Sequence, residues 1–203
     1  MSSLSVALRA ATYRHLGFFS WWSFFKLFLS RRCFRPVVTL HLCQYTAKFS
    51  WPLRILYVMS RILHRVVISA CAMDFNWKAK VGYGLCINHG WGMVVGYGVT
   101  IGNNVTLYQG VTLGRVMRVS PDGSLAEPVW PVIEDDVWIG PNVVIVGDVV
   151  IGKGSRIAAN TFINKSVAPY SIVTTSPSRV VKENCTPDVA NRFVLDNTQD
   201  VNN

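Results

Sequence analysis

Charged residues are scarce in this sequence, and acidic residues are absent from its first third. Of the 203 residues, 15% are charged and 50% are hydrophobic, and the first acidic residue is Asp74. An intrinsically disordered chain has the opposite balance, with low hydrophobicity and high net charge. We therefore expect the chain to fold, as one domain of ordinary size with an appendage.

Cysteine is present but lacks the spacing of a disulfide framework or a metal site. The five cysteines are odd in number, lie far apart and form no CxxC or Cys/His ligand pattern. They are Cys33, Cys43, Cys71, Cys86 and Cys185. We expect free thiols in a reducing compartment, with no disulfide and no metal.

A long apolar run is also missing. The strongest run, residues 16–29, has 14 residues and contains Lys26, whereas a spanning helix needs about 20 apolar residues. A signal peptide would place its basic residues first and small residues afterwards, but this run leads into Arg31 and Arg32. We expect neither a membrane span nor secretion, and therefore a cytoplasmic protein.

All of the excess positive charge lies in the amino-terminal segment. Residues 1–73 hold ten basic and no acidic residues, a charge of +10, and the rest holds ten basic and eleven acidic residues, a charge of −1. No nucleic-acid-binding motif accompanies this charge, so we expect no nucleic acid partner. Trp21 and Trp22 beside basic residues favour contact with the inner membrane surface. The alternative is a helical cap on the rest of the protein or on a second subunit.

The amino-terminal segment is predicted to be helical. In residues 53–68, Arg54, Arg61 and Arg65 recur at helical spacing and the other face is apolar. Trp51-Pro52 supplies a helix start, because proline is tolerated in a first helical turn. We assign residues 1–72 to this basic, apolar helical segment.

From residue 81 the sequence repeats in steps of six residues, with a slip of two residues at Met93-Val94. In the hexads from residue 95 on, the second position is usually small or polar and the fifth is Val, Ser or Thr. The first position is always aliphatic, at Val81, Ile87, Val95, Ile101, Leu107, Leu113, Ile133, Ile139, Ile145, Ile151, Ile157 and Ile163.

A period of six residues fits neither an amphipathic helix nor a simple strand. Three short strands of one hexad each make a triangular coil, with the first-position aliphatic pointing to the axis, and stacked coils bury the aliphatic ladder. Residues 81–175 give about five coils, more than the roughly three repeats that a solenoid needs. The predicted fold is a parallel β-helix over residues 73–182, preceded by the helical segment and followed by a polar tail, residues 183–203.

One interruption breaks the repeat. Residues 115–132 separate Leu113 from Ile133 and contain Pro121-Asp122-Gly123, which is strong turn chemistry. We predict an extruded loop, the kind of segment on which functional sites are often built. The Gly-x-Gly pairs at residues 82–84 and 96–98 lack the third glycine and the following helix of a dinucleotide fingerprint.

Four segments of the chain resemble the serine acetyltransferase branch of the hexapeptide-repeat acyltransferases, together with the related polysaccharide O-acetyltransferases of capsule, colanic acid and O-antigen pathways. The segments are Asp74–Gly82, Asn88–Gly96, Val105–Gly114 and Ser176–Val181. The resemblance implies an all-β left-handed parallel β-helix, a homotrimer, and acetyl-coenzyme A bound between neighbouring subunits.

The resemblance gives catalytic roles to His89 and Asp74, with His89 as general base and Asp74 as the residue that orients it. The chemistry is reasonable, because a hydroxyl attacks a thioester faster when a group with a pKa near 7 takes its proton. A carboxylate on the other ring nitrogen fixes the tautomer of the base. The alternative for His89 is a purely structural histidine.

Two departures from the serine acetyltransferase pattern bear on the acceptor. The chain has Asn88 where those enzymes have an aspartate, and Trp130 where they have a second histidine. A sugar ring suits aromatic faces and neutral amides, which Asn88, Trp91 and Trp130 could supply. For Trp130, packing within its loop is the alternative. The chain also ends without the terminal isoleucine by which those enzymes engage a sulfhydrylase.

For acetyl-coenzyme A, the resemblance implies a site along the stacked strands. The pantetheine arm is expected near Gly114, Pro141 and Ala159, and the phosphates near Asn164, Lys165 and Arg179, since basic side chains suit phosphate. For Lys165, a merely solvated side chain is the alternative. Thr175 stands where the family has a glycine.

The function predicted from these features is acetyl-CoA-dependent O-acetylation of a sugar hydroxyl in a surface polysaccharide or its lipid-linked precursor. Serine O-acetylation is the alternative within the same enzyme class. A noncatalytic β-helix scaffold is the alternative from another class. The sequence names neither the acceptor sugar nor the length of the acyl chain.

Overall fold

The computed structural model describes residues 4–116 and 127–175. Four helices come first and fourteen short strands follow. The helices are α1 (Leu4–Leu16), α2 (Trp21–Ser30), α3 (Phe34–Thr46) and α4 (Arg54–Ala70). The predicted helical character of the amino-terminal segment is thus confirmed.

Helix α3 is the centre of the helical region. Its buried side chains include Phe34, Val37 and Leu40, and both α1 and α4 pack against it. Helix α2 begins after Ser20, whose side chain accepts a hydrogen bond from the Ser23 amide at 3.0 Å, a usual N-cap arrangement. None of the described helices is long and apolar enough to cross a membrane.

The strands form three parallel sheets, which are the faces of a β-helix. Sheet A contains β1 (Asp74–Phe75), β4 (Val94–Val95), β7 (Thr112–Gly114), β10 (Val144–Val146) and β13 (Phe162–Ile163). Sheet B contains β2 (Lys80–Val81), β5 (Thr100–Ile101), β8 (Val132–Ile133) and β11 (Val150–Ile151). Sheet C contains β3 (Cys86–Asn88), β6 (Thr106–Tyr108), β9 (Trp138–Ile139), β12 (Arg156–Ile157) and β14 (Ile172–Val173). The parallel β-helix predicted from the hexads is confirmed.

The core of the β-helix is built from two positions of the hexad. First-position aliphatics such as Leu107, Ile139 and Ile145 are fully buried, as predicted. Fifth-position residues such as Val105 and Val143 are equally buried, so each hexad contributes two side chains to the axis. This explains why the fifth position is restricted to Val, Ser and Thr.

The hexads recognised in the sequence start at Val81, which would leave Asp74 before the coils, but the β-helix begins one hexad earlier, within the predicted range of residues 73–182. Phe75 pairs with Val95 and is buried in the first-position site, and Ala79 is buried in the fifth. A phenylalanine in place of the usual aliphatic residue concealed this hexad in the sequence. As a consequence, Asp74 lies in strand β1 and not before the coils.

The predicted loop begins and ends close together. An antiparallel bridge joins Val116 to Val129, so the chain leaves the coil and returns at the same place. The predicted boundary at residue 132 is too late, because Val132 already belongs to β8. Residues 117–126 lie outside the described part of the chain.

The helical region packs on the β-helix as a cap. Arg14 Nη2 donates to Thr106 Oγ1 at 2.7 Å, and Gln44 Nε2 donates to the Ala79 carbonyl at 2.8 Å. His64 on α4 reaches the Phe75 carbonyl with Nε2 at 2.9 Å. The helices are therefore attached to the same first coils that carry Asp74.

Candidate active site

The corner between sheet C and sheet A is longer in one coil than in the others. Ile87 and Val95 are eight residues apart, whereas the equivalent Leu107 and Leu113 are six apart. Met93 is fully buried two residues before Val95 and so takes the fifth-position site. The two additional residues therefore lie in the loop before Met93, residues 89–92.

His89 is the first residue of this loop and its side chain is exposed. Its φ of 55° is in the left-handed region, where the backbone turns sharply away from β3. The carbonyl of His89 accepts a hydrogen bond from the Trp91 amide at 2.6 Å. The loop therefore presents the imidazole at the outer surface of the corner.

The loop is fastened to its surroundings through backbone amides. Gly90 donates to Cys33 Sγ at 3.3 Å, and Gly92 donates to the Ala72 carbonyl at 2.8 Å. A Cβ at residue 90 would lie 1.9 Å from the terminal methyl of Met73 and 2.7 Å from Cγ2 of Ile87, so a larger residue here would require both side chains to move. These contacts hold the backbone around His89 on a fixed support, which a catalytic base requires.

Asp74 lies at the same corner, one coil away. It is the first residue of β1, it pairs with Val94, and its amide donates to the Met93 carbonyl at 2.8 Å. Its side chain is exposed, as is that of His89. Within the single described chain, no hydrogen bond joins the Asp74 carboxylate to the His89 ring, so the proposed pairing stays a prediction.

Two of the predicted substrate residues flank His89. Asn88 is half-buried at the end of β3, and its Oδ1 lies 3.8 Å from Cys86 Sγ. Trp91 is 51% exposed, and the Arg32 guanidinium lies 4.3 Å from the centre of its ring. This cation–π contact connects the helical region to the wall of the site.

The third predicted substrate residue lies elsewhere in the chain. Trp130 covers Gly96 and Gly98 at the far end of β4, where a Cβ at Gly96 would meet its ring at 2.0 Å. Its ring centre lies 4.6 Å from that of Tyr97. Within one chain Trp130 packs on the neighbouring coil and occupies the opposite edge of sheet A from His89, and its role in binding substrate stays a prediction.

His89 lies at the same corner as two of the predicted cofactor residues. Backbone hydrogen bonds repeat from coil to coil at this corner: Gly110 donates to the Trp91 carbonyl, Asn142 to that of Gln109 and Asn160 to that of Pro141. These bonds align Trp91, Gln109, Pro141 and Ala159 in consecutive coils, and His89 precedes Trp91 by two residues in the same loop. We call Gln109, Pro141 and Ala159 together with the neighbouring His89 the corner column. A base and an elongated ligand could therefore share one side of the β-helix.

Gln109 is the member of the corner column that the sequence reasoning missed. Its Oε1 is buried and has no hydrogen-bond partner within the described chain. A buried polar atom without a partner is costly, so this oxygen is suited to accept a hydrogen bond from a ligand or a neighbouring subunit. Its third position in the hexad, which Pro141 and Ala159 also occupy, was the available signal.

The other predicted cofactor residues lie along the opposite edge of sheet A. Gly114 pairs with Val146, and the same register aligns Asn164 with both. Lys165 follows and is exposed. Arg179 lies outside the described residues. The predicted cofactor residues therefore divide between two edges of one face, and one chain does not gather them into a single groove.

Comparison with known proteins supports the acyltransferase interpretation. Residues 131–165 match the bacterial transferase hexapeptide family (six repeats). The serine acetyltransferase of Bacillus pumilus is 35% identical over 131 residues, and that of Bacillus subtilis is 34% identical over 128 residues. These alignments cover 64% and 63% of this chain, and 58% and 56% of the relatives. The chain thus spans a little over half the length of these relatives.

Solved structures give the same result. A serine acetyltransferase from Brucella abortus has a TM-score of 0.62 and 26% identity, covering 88% of this chain and 66% of that protein. Soybean serine acetyltransferase complexed with serine has a TM-score of 0.65 and 26% identity, covering 88% and 68%. The predicted likeness to serine acetyltransferases is confirmed, and the likeness to polysaccharide O-acetyltransferases gains no support from these comparisons.

Proposed function

We propose that the chain is an acetyl-CoA-dependent O-acetyltransferase of the serine acetyltransferase type, with L-serine as the preferred acceptor. The observation that carries this proposal is the corner column. It sets an exposed histidine, on a rigidly supported loop, at the same corner of the β-helix as two residues expected to border the pantetheine arm. The names of the similar proteins favour serine over a sugar, which reverses the order of preference drawn from the sequence.

In the proposed reaction, His89 takes the proton from the serine hydroxyl while the hydroxyl oxygen attacks the thioester carbonyl of acetyl-CoA. Backbone amides of the groove receive the negative charge that develops on the carbonyl oxygen. The carbon–sulfur bond then breaks, and the leaving thiolate takes the proton back from the His89 ring. Asp74 orients the ring and stabilises its charged form.

The proposed assembly is a homotrimer. In one chain the residues of the predicted site are divided between the two edges of sheet A, so each edge carries only about half of them. A neighbouring subunit could bring the edge that carries Gly114, Asn164 and Trp130 against the corner column of the next chain. The exposed side chains of Val94 and Phe162 on sheet A suit such a contact. Light scattering should give a mass of about 68 kDa, three times the 22.7 kDa of one chain; a mass of one chain would contradict it.

A sugar hydroxyl, free or on a lipid-linked glycan, is the second candidate acceptor. Asn88 and Trp130 favour it, because the acidic residue and the histidine of the serine acetyltransferase pattern are missing at these positions. A neutral site holds the ammonium group of serine less strongly than an acidic one. The asparagine beside His89 is the specific observation behind this candidate.

One experiment distinguishes these candidates. The purified protein is incubated with acetyl-CoA labelled in the acetyl group and, separately, with L-serine, free sugars or lipid-linked glycans, and the labelled product is identified. Labelled O-acetylserine supports the proposal, and a labelled sugar supports the second candidate. If no acceptor is labelled and calorimetry detects no binding of acetyl-CoA, the chain is a noncatalytic β-helix.

A further inference from the structure

One surface of the helical region is strongly apolar and has no covering element in the described chain. On α4, Ile55, Ile62 and Val66 are each at least 60% exposed. Met59 lies with them, 61% exposed. Their spacing of three, four and seven residues sets them on one stripe of a helix. We call this stripe the α4 face.

The opposite side of α4 already has its partners. Ser60 and His64 are buried, and they hydrogen-bond to Thr46 and Thr39 of α3, each at 2.8 Å. Burial lowers the pKa of His64, so this contact is made by a neutral ring. The helix is therefore fixed in orientation, and the α4 face points away from the protein.

An apolar groove extends the α4 face toward α3. It has a volume of about 510 Å³ and runs between α3 and α4. Its walls are almost wholly apolar and include Leu42, Phe49, Leu56, Met59 and Leu63. The groove and the stripe form one continuous surface that can receive hydrocarbon chains.

A row of arginines borders the α4 face. Arg54, Arg61 and Arg65 each precede Ile55, Ile62 and Val66 by one residue, so they lie about 100° around the helix from the apolar stripe. Trp51, 86% exposed, stands just before the helix. Apolar side chains, arginines and an exposed tryptophan are the components of a helix that lies in a lipid interface.

The positive charge of residues 1–73 favours an anionic lipid surface over a second copy of the chain as the partner of the α4 face. Residues 1–73 contain no acidic residue, and Asp74, which lines a cavity with Arg61 and Arg65, is one carboxylate beside three arginines. Two copies of the α4 face meeting each other would therefore bring together two rows of net positive charge. Juxtaposed like charges disfavour such a contact. An anionic lipid surface supplies the missing negative charge and about 1 kcal/mol of attraction per basic residue.

We propose that the α4 face and its groove bind the surface of an anionic lipid membrane, with the helix lying in the plane of the interface. The arginines contact the head groups, and the apolar stripe enters the region of the acyl chains. This surface does not include the corner column, although Arg61, Ile62 and Arg65 also line a cavity of about 380 Å³ with Asp74. The proposal does not depend on acetyl transfer, and its test does not measure activity.

Vesicle flotation of the full-length protein tests the proposal. We expect at least tenfold stronger binding to phosphatidylcholine vesicles containing 30% phosphatidylglycerol than to pure phosphatidylcholine, and weaker binding at high salt. Ile62→Gln should reduce binding to the anionic vesicles about tenfold, because one exposed aliphatic side chain no longer enters the lipid. Ile172→Gln is the matched control, since Ile172 is an exposed isoleucine on the last coil, and it should bind as the wild type does.

A second variant keeps the test decisive if Ile62→Gln folds poorly. Arg54→Gln together with Arg65→Gln leaves the apolar stripe intact and should remove most of the preference for anionic vesicles. Equal binding to neutral and anionic vesicles would overturn the proposal, as would absence of binding. It would also be overturned if Ile62→Gln lowered the mass of the lipid-free protein in light scattering, because a second copy would then cover the α4 face.

Discussion

Replacing His89 by alanine should lower the rate of acetyl transfer by about 10²- to 10⁴-fold, the usual contribution of a general base. The side chain is exposed and makes no hydrogen bond in the described chain, so its removal should leave the fold unchanged. The rate of CoA release with L-serine as acceptor, measured at saturating acetyl-CoA, checks this expectation.

The control for this variant is the binding of acetyl-CoA, which should change less than about twofold. Tyr170→Ala provides a matched alteration, because Tyr170 is also an exposed residue with positive φ but lies at the corner between sheet B and sheet C. Full turnover by His89→Ala would contradict the assignment of His89 as the base. Loss of acetyl-CoA binding would assign His89 to ligand binding.

Acidification from pH 6.5 to pH 4 should cost the protein about 3 kcal/mol of unfolding free energy through His41 alone. His41 is 5% exposed on α3, beside a cavity of about 570 Å³. Its Nε2 has no hydrogen-bond partner in the described chain. Burial lowers the pKa of His41 to about 4, and the neighbouring Gln44 opposes the shift only in part.

The sign follows from proton linkage. The unfolded chain takes up a proton on His41 near pH 6.5, but the folded chain resists protonation until about pH 4. Falling pH within this window therefore favours unfolding, and the effect is complete below it. Urea unfolding at fixed protein concentration, at pH 7 and pH 4, should show a smaller loss for His41→Gln than for the wild type. Equal losses would contradict the assigned pKa.

The β-helix could be predicted from the sequence because the six-residue period of the aliphatic residues is typical of this fold. An aliphatic residue such as Ile139 or Ile145 every six residues has no other regular arrangement that buries it. The first hexad escaped this reasoning because Phe75 fills an aliphatic site. The place of Asp74 in β1 followed only when the pairing of Phe75 with Val95 was known.

The site was predicted in part. His89, Asn88 and Trp91 are neighbours in the sequence, so their proximity was certain, and the slip at Met93-Val94 marked an irregular corner. The place of Gln109 at the same corner as His89 required the strand register. The separation of Trp130 from His89 required knowledge of which corner each occupies, and hexads that look alike do not distinguish corners.

The amino-terminal segment was the least predictable part. The aromatic run of residues 16–29 dominated the sequence argument for a membrane surface, yet Phe24 and Leu27 of α2 are buried against other helices. Helix α2 also exposes Trp22, Phe25 and Leu29, but the longer exposed stripe belongs to α4. Its sequence pattern is an ordinary amphipathic helix, and only the packing of Ser60 and His64 shows which face remains uncovered.

A calorimetric titration of acetyl-CoA decides whether the corner column is the ligand site. Ala159→Trp should weaken binding at least tenfold, since the large ring fills the outer side of that column. Lys153→Trp, on an exposed turn at another corner, should bind as the wild type does. If both variants and the wild type bind acetyl-CoA equally well, the corner column is not the ligand site and the account fails.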